Sequence, residues 1–221
     1  MNKKIKSFAI YCSEGASRTI KFYSFNENLV KFGPVRIIYD GDRIDIIQQL
    51  TKLFSDRLII LYKNNLTSEE RNKIHTKTSM FIHNILKKDN IEFLLCFGNK
   101  ILKKELIDDY HNRLINFHPA ILPSFKGLNA IDQAIQINVA LLGNTAHYID
   151  EGVDSGKIII QTAMLKEDFE NYEDVLELQF PMMKMIFRDL LNYEISHDEI
   201  IKELGKRKKL FLIPNHCNIF F

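Results

Sequence analysis

A chain of 221 residues that is 46% hydrophobic and 26% charged has the composition of an ordinary globular protein, with room for one sizeable domain. Its formal net charge of +2 gives no whole-molecule pull toward nucleic acid or an anionic bilayer. No apolar run approaches the ~18–20 residues that span a membrane, so neither kind of partner is expected. Met1-Asn-Lys-Lys-Ile leads straight into a strand-like run without a signal-peptide core, and the expected setting is the cytoplasm. The cysteines, Cys12, Cys96 and Cys217, are odd in number and none forms a C-x-x-C pair. That spacing points to neither a disulfide framework nor a zinc site. Cys12 and Cys96 sit in apolar runs and read as small core hydrophobes.

In chain order, Lys6–Cys12 reads as a first strand, followed by the small-residue turn Ser13–Thr19 and a helix to about Ser24. Val35–Tyr39 is a second strand, stopped by Asp40-Gly41-Asp42. Ile44–Phe54 has apolar residues at helical spacing, and Leu58–Tyr62 is a third apolar run. Thr67-Ser68-Glu-Glu starts a helix that should continue to about Lys88, its acidic first turn suiting the helix dipole. Ile91–Phe97 is a fourth strand, Lys100–Tyr110 a short helix and Arg113–Phe117 a fifth strand. Gly127–Asn138 reads as a helix. Ala140–Tyr148 and Lys157–Met164 read as strands joined by a hairpin-like return through Ile149–Gly156. Tyr172–Tyr193 is helical, with a break expected near Pro181.

Repeated strand–helix units with near-continuous apolar strands imply an α/β fold, Rossmann-like, with a mostly parallel sheet covered by helices on both faces. Residues 1–193 are expected to form the catalytic domain, and 194–221 a short C-terminal extension. The basic run Gly205–Lys209 reads as a solvated surface. The apolar tail, Leu210–Pro214 with Phe220-Phe221, is expected to pack on the domain or to make a homodimer contact.

Ligands of such open sheets bind beyond the carboxyl ends of the strands. Asn116-Phe117-His118 lies at one such end, and Asp154 follows a neighbouring strand. Asn116 and His118, two apart on a strand, share a face, while Phe117 turns toward packing. A neutral amide can hold a developing oxyanion. A histidine can move a proton near neutral pH, and a carboxylate can orient it. No strand-end serine or cysteine offers itself as a nucleophile, which favours direct attack of a bound substrate on a carbonyl carbon. Leu122-Pro123 is a candidate cis peptide that would shape the following loop. His147, inside an apolar strand, reads as a satisfied core histidine. The Ser13–Thr19 turn, with a single glycine, is on its own a weak phosphate-binding candidate.

The combination Asn116-x-His118-Pro-x-x-Leu-Pro123 with Gly143-x-x-x-His147-Tyr-x-Asp-Glu-Gly-Val-Asp154-Ser-Gly resembles the folate-dependent formyltransferase family over about Ile91–Met164. Members of that family formylate glycinamide ribonucleotide, methionyl-tRNA or nucleotide-linked amino sugars. The resemblance implies the formyltransferase fold and transfer of a formyl group from N10-formyltetrahydrofolate to a primary amine, with no metal. It implies Asn116, His118 and Asp154 as the catalytic trio. It further implies a folate pocket formed by Asn99, Lys100, Ile101 and Leu102 together with Ile149, Asp150, Glu151, Gly152 and Val153.

The acceptor side departs from the glycinamide ribonucleotide pattern. That pattern has Ser-Gly-x-Gly-Ser-Asn after the first strand, where this chain has Ser13-Glu14-Gly15-Ala16-Ser17-Arg18. A late Glu-His pair before a proline is replaced by Leu176-Glu177 ahead of Pro181. These departures imply a small, nucleotide-linked amine, an amino sugar first and glycinamide ribonucleotide second, with Ser13, Ser17 and Arg18 as candidate phosphate contacts. The short stretch after the last long helix and the lack of excess basic charge make tRNA an unexpected acceptor. A folate-binding protein without transfer activity is the remaining alternative.

Overall fold

The computed structural model describes residues 4–26, 29, 33–61, 73–196, 198–200 and 211–214. The expected helix start at Thr67-Ser68, the basic run Gly205–Lys209, Cys217 and the Phe220-Phe221 end lie outside the described residues. The chain divides into two compact units, Lys6–Leu114, and Ile115–Phe221 with Met1–Ile5.

The first unit holds strands β1 (Phe8–Cys12), β2 (Arg36–Tyr39), β3 (Leu58–Ile60) and β4 (Phe93–Phe97). Its helices are α1 (Ser17–Phe25), α2 (Ile44–Phe54), α3 (Ile74–Lys88) and α4 (Lys104–Asp109). The strands pair in parallel in the order β3-β2-β1-β4, with Ile10 beside Ile37 on one side and Leu95 on the other. Every residue of β1 and β4 is buried, including Cys12 and Cys96. Such continuous apolar runs are what a parallel strand covered on both faces requires. On α2 the buried residues Ile46, Leu50 and Phe54 recur every fourth position, which puts them on one stripe. This is the Rossmann-like α/β arrangement. Because β1 has β2 on one side and β4 on the other, the direction of sheet growth reverses between β1 and β4. Their carboxyl ends flank the crevice position of such folds.

The second unit holds β5 (Leu114–His118), β6 (Leu141–Tyr148), β7 (Ile158–Leu165) and β8 (Phe211–Pro214). Its helices are α5 (Ala130–Gln136), α6 (Tyr172–Leu176) and α7 (Gln179–Asp189). All its strand pairs are antiparallel, in the order β5-β6-β7-β8. The hairpin-like return expected through Ile149–Gly156 joins β6 to β7, and the apolar tail run supplies the edge strand β8. Ile131, Ala134, Leu142, Met164, Val175 and Leu178 form a buried cluster in this unit. A Cβ on Gly143 would lie 2.0 Å from the Thr162 carbonyl, so only glycine lets β6 and β7 approach at that point.

The long helix expected over Tyr172–Tyr193 is two helices, broken after Leu176. Pro181 is the third residue of α7, in the first turn, where no intrahelical N–H is lost. Two other expected helices start late. Residues 127–129 form a loop in place of the first turn of α5, with Asn129 at a φ of 56°. Residues 100–103 stay outside α4, which begins at Lys104.

Candidate active site

The centre of the second unit is a cluster of four polar side chains. Asn116 and His118 stand on one face of β5, and across the antiparallel ladder His147 pairs with Asn116 and Thr145 with His118. The β6–β7 register shifts at Ala146/His147, a bulge of the kind that re-aims side chains beside functional sites. Asp154 reaches the cluster from the β6–β7 loop with a φ of 47°, left-handed backbone that an aspartate tolerates better than most residues. That loop is tied to itself. The Asp150 carboxylate accepts the Gly152 amide at 3.1 Å and the Ser155 hydroxyl at 2.7 Å. Gly156 passes so close to the Tyr148 carbonyl that a Cβ would lie 1.8 Å from it.

Asp154 is the hub. One carboxylate oxygen accepts the Gly127 amide at 2.8 Å and lies 3.2 Å from His118 Nδ1. The other accepts Asn116 Nδ2 at 3.3 Å and lies 3.4 Å from His147 Nε2. Burial pushes the Asp154 carboxyl up. The neighbouring His147 ring, the Gly127 amide and the His118 ring outweigh it, and the group is held below the ordinary carboxylate range.

His118 is 3% exposed. Burial pulls its imidazole below the ordinary histidine value, opposed by the Phe125 carbonyl and by Asp154 and assisted by His147. Its Nε2 donates to the Phe125 carbonyl at 2.7 Å, while Nδ1 faces Asp154. Both ring nitrogens therefore face acceptors, and protonation would give each a hydrogen to donate. This is a ring poised to take a proton that arrives from elsewhere.

His147, 2% exposed, is buried as expected of a core histidine, but it is also part of the cluster. Its Nδ1 lies 2.8 Å from the Tyr148 carbonyl and so carries the hydrogen. In the neutral ring Nε2 is then the acceptor, 3.2 Å from Asn116 Nδ2. The Asn116 amide is thus aimed by His147 and Asp154 together. The alternation of Thr145 and His147 on an otherwise apolar strand was the sequence signal for this residue: two polar groups on one face, opposite Asn116 and His118.

A second layer fixes the loop after β5. The Thr145 hydroxyl donates to the Ala120 carbonyl at 2.7 Å and accepts the Leu122 amide at 3.0 Å. Gln161 bonds the Leu122 carbonyl at 2.9 Å. The Leu122–Pro123 peptide is cis. Beyond it the chain returns through Phe125 to the His118 and Asp154 contacts already named.

The other candidate positions divide between the units. Ile149–Val153 line the loop leading to Asp154, with Glu151, Gly152 and Val153 exposed. Ser13, Ser17, Arg18 and residues 99–102 belong to the first unit, at the carboxyl ends of β1 and β4. There the structure brings the two loops together. The Ser13 hydroxyl accepts the Asn99 amide at 3.1 Å, and the Asn99 side chain donates to Glu14 at 2.6 Å. The Lys100 amine bonds the Asn99 side chain and lies 3.7 Å from Asp40. Asp40 in turn accepts the Tyr11 hydroxyl at 2.5 Å. Arg18 lies over the Phe97 ring, 5.7 Å from its centroid. Tyr11, Glu14 and Asp40 were not among the expected site residues: Glu14 stood out only as the replacement of a pattern glycine and Asp40 only as a strand end. Among the described residues, no group of three or more His, Cys, Asp or Glu side chains is gathered to hold a metal ion, and no helix is long and apolar enough to cross a membrane.

Residues 65–176, half of the chain, match the model of the formyl transferase family, and the chain belongs to that family. It is 34% identical over 91 residues to the phosphoribosylglycinamide formyltransferase of Bacillus subtilis, an overlap of 41% of this chain and 47% of that protein. It is 37% identical over 81 residues to the human trifunctional purine biosynthetic protein adenosine-3, 36% of this chain and 8% of that one. The matched segment thus spans less than half the length of these relatives. The crystal structure of the Bacillus halodurans phosphoribosylglycinamide formyltransferase superposes with a TM-score of 0.60 at 26% identity, over 90% of this chain and 95% of that one.

Proposed function

We propose that the protein transfers a formyl group from N10-formyltetrahydrofolate to the primary amine of a small phosphorylated acceptor. The observation that carries this reading is the closed cluster Asn116–His118–His147–Asp154, in a chain that shares its fold and family with enzymes of that name. The neutral amine nitrogen attacks the formyl carbon. The carbonyl oxygen gains negative charge, which the Asn116 amide and the His118 ring stabilise. Asp154 orients His118 and holds it ready to take the amine's proton, which then passes to N10 as the C–N10 bond breaks. His147 keeps the Asn116 amide turned the right way. The Asn99–Leu102 and Ile149–Val153 segments are the folate contacts in this reading.

Phosphoribosylglycinamide is the acceptor this reading favours, because both formyltransferases compared above carry it in their names. The loop after β1 supports it. The two positions where the glycinamide ribonucleotide pattern has glycine are Glu14 and Ala16, and both keep left-handed backbone, with φ of 50° and 45°. Left-handed backbone is what glycine at these two positions would serve, and a turn of this kind supports a phosphate-binding role for the loop. A nucleotide-linked amino sugar is the second reading. It is favoured by the side chains that replace the pattern, since Glu14 and Arg18 add charge where the pattern is small and neutral.

A substrate panel decides. The protein is incubated with N10-formyltetrahydrofolate and either phosphoribosylglycinamide or a set of nucleotide-linked amino sugars, while the folate absorbance is followed. Turnover confined to phosphoribosylglycinamide is the expected result. Turnover confined to an amino sugar reverses the order of the two acceptors. Tight folate binding without turnover on any amine sinks the transferase reading and leaves a folate-binding protein.

A further inference from the structure

The segment between β4 and α4 is held from outside by two side chains of α3. The backbone amide of Ile101 donates to His75 Nδ1 at 3.0 Å, and the backbone amide of Lys103 donates to the Ser79 hydroxyl at 2.9 Å. His75 and Ser79 are four apart, on one stripe of the helix, and the amides they hold are two apart in the loop. The spacing of one element therefore fits the spacing of the other.

We propose that His75, seconded by Ser79, is the positioning residue of the folate-side loop, and that protonation of His75 releases that loop. The proposal rests on the assignment of residues 99–102 to the folate contacts. An imidazole accepts an N–H only through an unprotonated nitrogen. Once Nδ1 carries a hydrogen, the bond to Ile101 becomes a donor facing a donor. The surroundings keep the ring neutral: burial, then the charges of Lys103 and Lys100 in the held loop, all oppose protonation. Those two lysines are the charged groups that act on His75 from the packed loop. At neutral pH the clamp is therefore closed, and acid opens it. Ser79 does not titrate and holds the far end in both states. Ile101 is 58% exposed although its amide is clamped, so the clamp fixes the backbone and leaves the apolar side chain available to a ligand.

The test compares wild type, His75→Leu and His75→Asn. Leucine keeps bulk and removes the acceptor, whereas asparagine places a non-titrating oxygen near the Nδ1 position. The readouts are calorimetric Kd for N10-formyltetrahydrofolate from about pH 7.5 to about pH 5 and amide hydrogen exchange at Ile101. His75→Leu should weaken folate binding about threefold to tenfold at the upper pH, the worth of one hydrogen bond, and speed Ile101 exchange by a similar factor. Wild type should lose affinity toward the same extent as the pH falls. His75→Asn should bind nearly as wild type does at the upper pH and stay flat. Unchanged Ile101 exchange in His75→Leu overturns the clamp. Faster exchange with unchanged Kd overturns its link to folate, and a wild-type-like pH profile in His75→Asn overturns the release by protonation. Wild type that binds no folate overturns the functional reading and the ligand of this proposal together, and the exchange arm tells that failure apart from failure of the clamp.

Discussion

Replacing Asp154 by asparagine separates charge from shape at the hub of the cluster. The carboxylate accepts from Gly127 and faces His118 with one oxygen, and accepts from Asn116 and faces His147 with the other. An amide has a single acceptor oxygen. If that oxygen faces Gly127, the new NH2 group points at the Asn116 amide, donor against donor. If it is reversed, NH2 meets the Gly127 N–H at a site 2.8 Å across. Either way a buried donor goes unpaired, a loss of about 1–3 kcal/mol in stability. The electrostatic loss falls on turnover. At 3.2 Å the attraction between a carboxylate and an imidazolium is about 5 kcal/mol in an effective dielectric of about 20. The share realised only when His118 becomes charged in the transition state is lost with the carboxylate. Asp154→Asn should accordingly lower kcat about 10³-fold, close to 4 kcal/mol on the barrier, with a small change in KM. Formyl-transfer kinetics and urea unfolding measure the two quantities separately. A variant within about threefold of wild-type kcat, destabilised or not, would refute the role given to the carboxylate.

Other consequences are as concrete. His147→Leu should lower kcat about 10- to 100-fold, because the Asn116 amide loses its partner, and should cost about 1–3 kcal/mol of stability; unchanged kcat would return His147 to the status of a core residue. Stability against pH should fall in two stages on acidification. His118 sits below its ordinary value, so the folded state resists its protonation and stability declines as the pH drops below about 6.5 toward the folded value. Asp154 also sits low, so its contribution is present above the ordinary carboxylate range and is lost only as the pH falls through its lower folded value. Urea midpoints across pH, repeated with His118→Asn, should show the first stage reduced in the variant, with His75 still contributing to it. Gly143→Ala should be among the most damaging small substitutions, by about 3 kcal/mol or more, because its methyl group would meet a backbone carbonyl that cannot step aside; a thermal midpoint within a degree or two of wild type would show that β6 and β7 separate easily.

Much of this was legible in the sequence because the strands are apolar without interruption. Lys6–Cys12, Val35–Tyr39 and Ile91–Phe97 read as buried strands, and the two-residue period puts Asn116 and His118 on one face. The antiparallel return after Tyr148 was legible as well, from the glycines and acids of Ile149–Gly156. Helix starts were not. The bonds that hold the segment before α4 come from His75 and Ser79, more than twenty residues upstream, and no local propensity records contacts of that range. His147 is the buried histidine that was expected, but a histidine in an apolar strand does not tell what lies across the ladder, so its place beside Asn116 was not legible. Its register against Asn116 is a tertiary fact of the β5–β6 ladder. The Tyr11–Asp40–Lys100 chain went unseen for the same reason: its members come from the ends of three different strands.

The contact between His118 Nε2 and the Phe125 carbonyl bears on affinity and selectivity in opposite ways. A formyl oxygen that takes the His118 hydrogen does not gain a hydrogen bond outright; it exchanges places with an internal carbonyl already 2.7 Å away. Exchange is nearly neutral in free energy when the newcomer accepts as well as the incumbent, and unfavourable when it does not. The histidine therefore adds little to how tightly a ligand is held and much to which ligand is tolerated. A folate without the formyl oxygen would leave Phe125 in possession of the ring. On the proposed reading, the formylated and spent forms of the co-substrate would be told apart by which acceptor holds the His118 hydrogen.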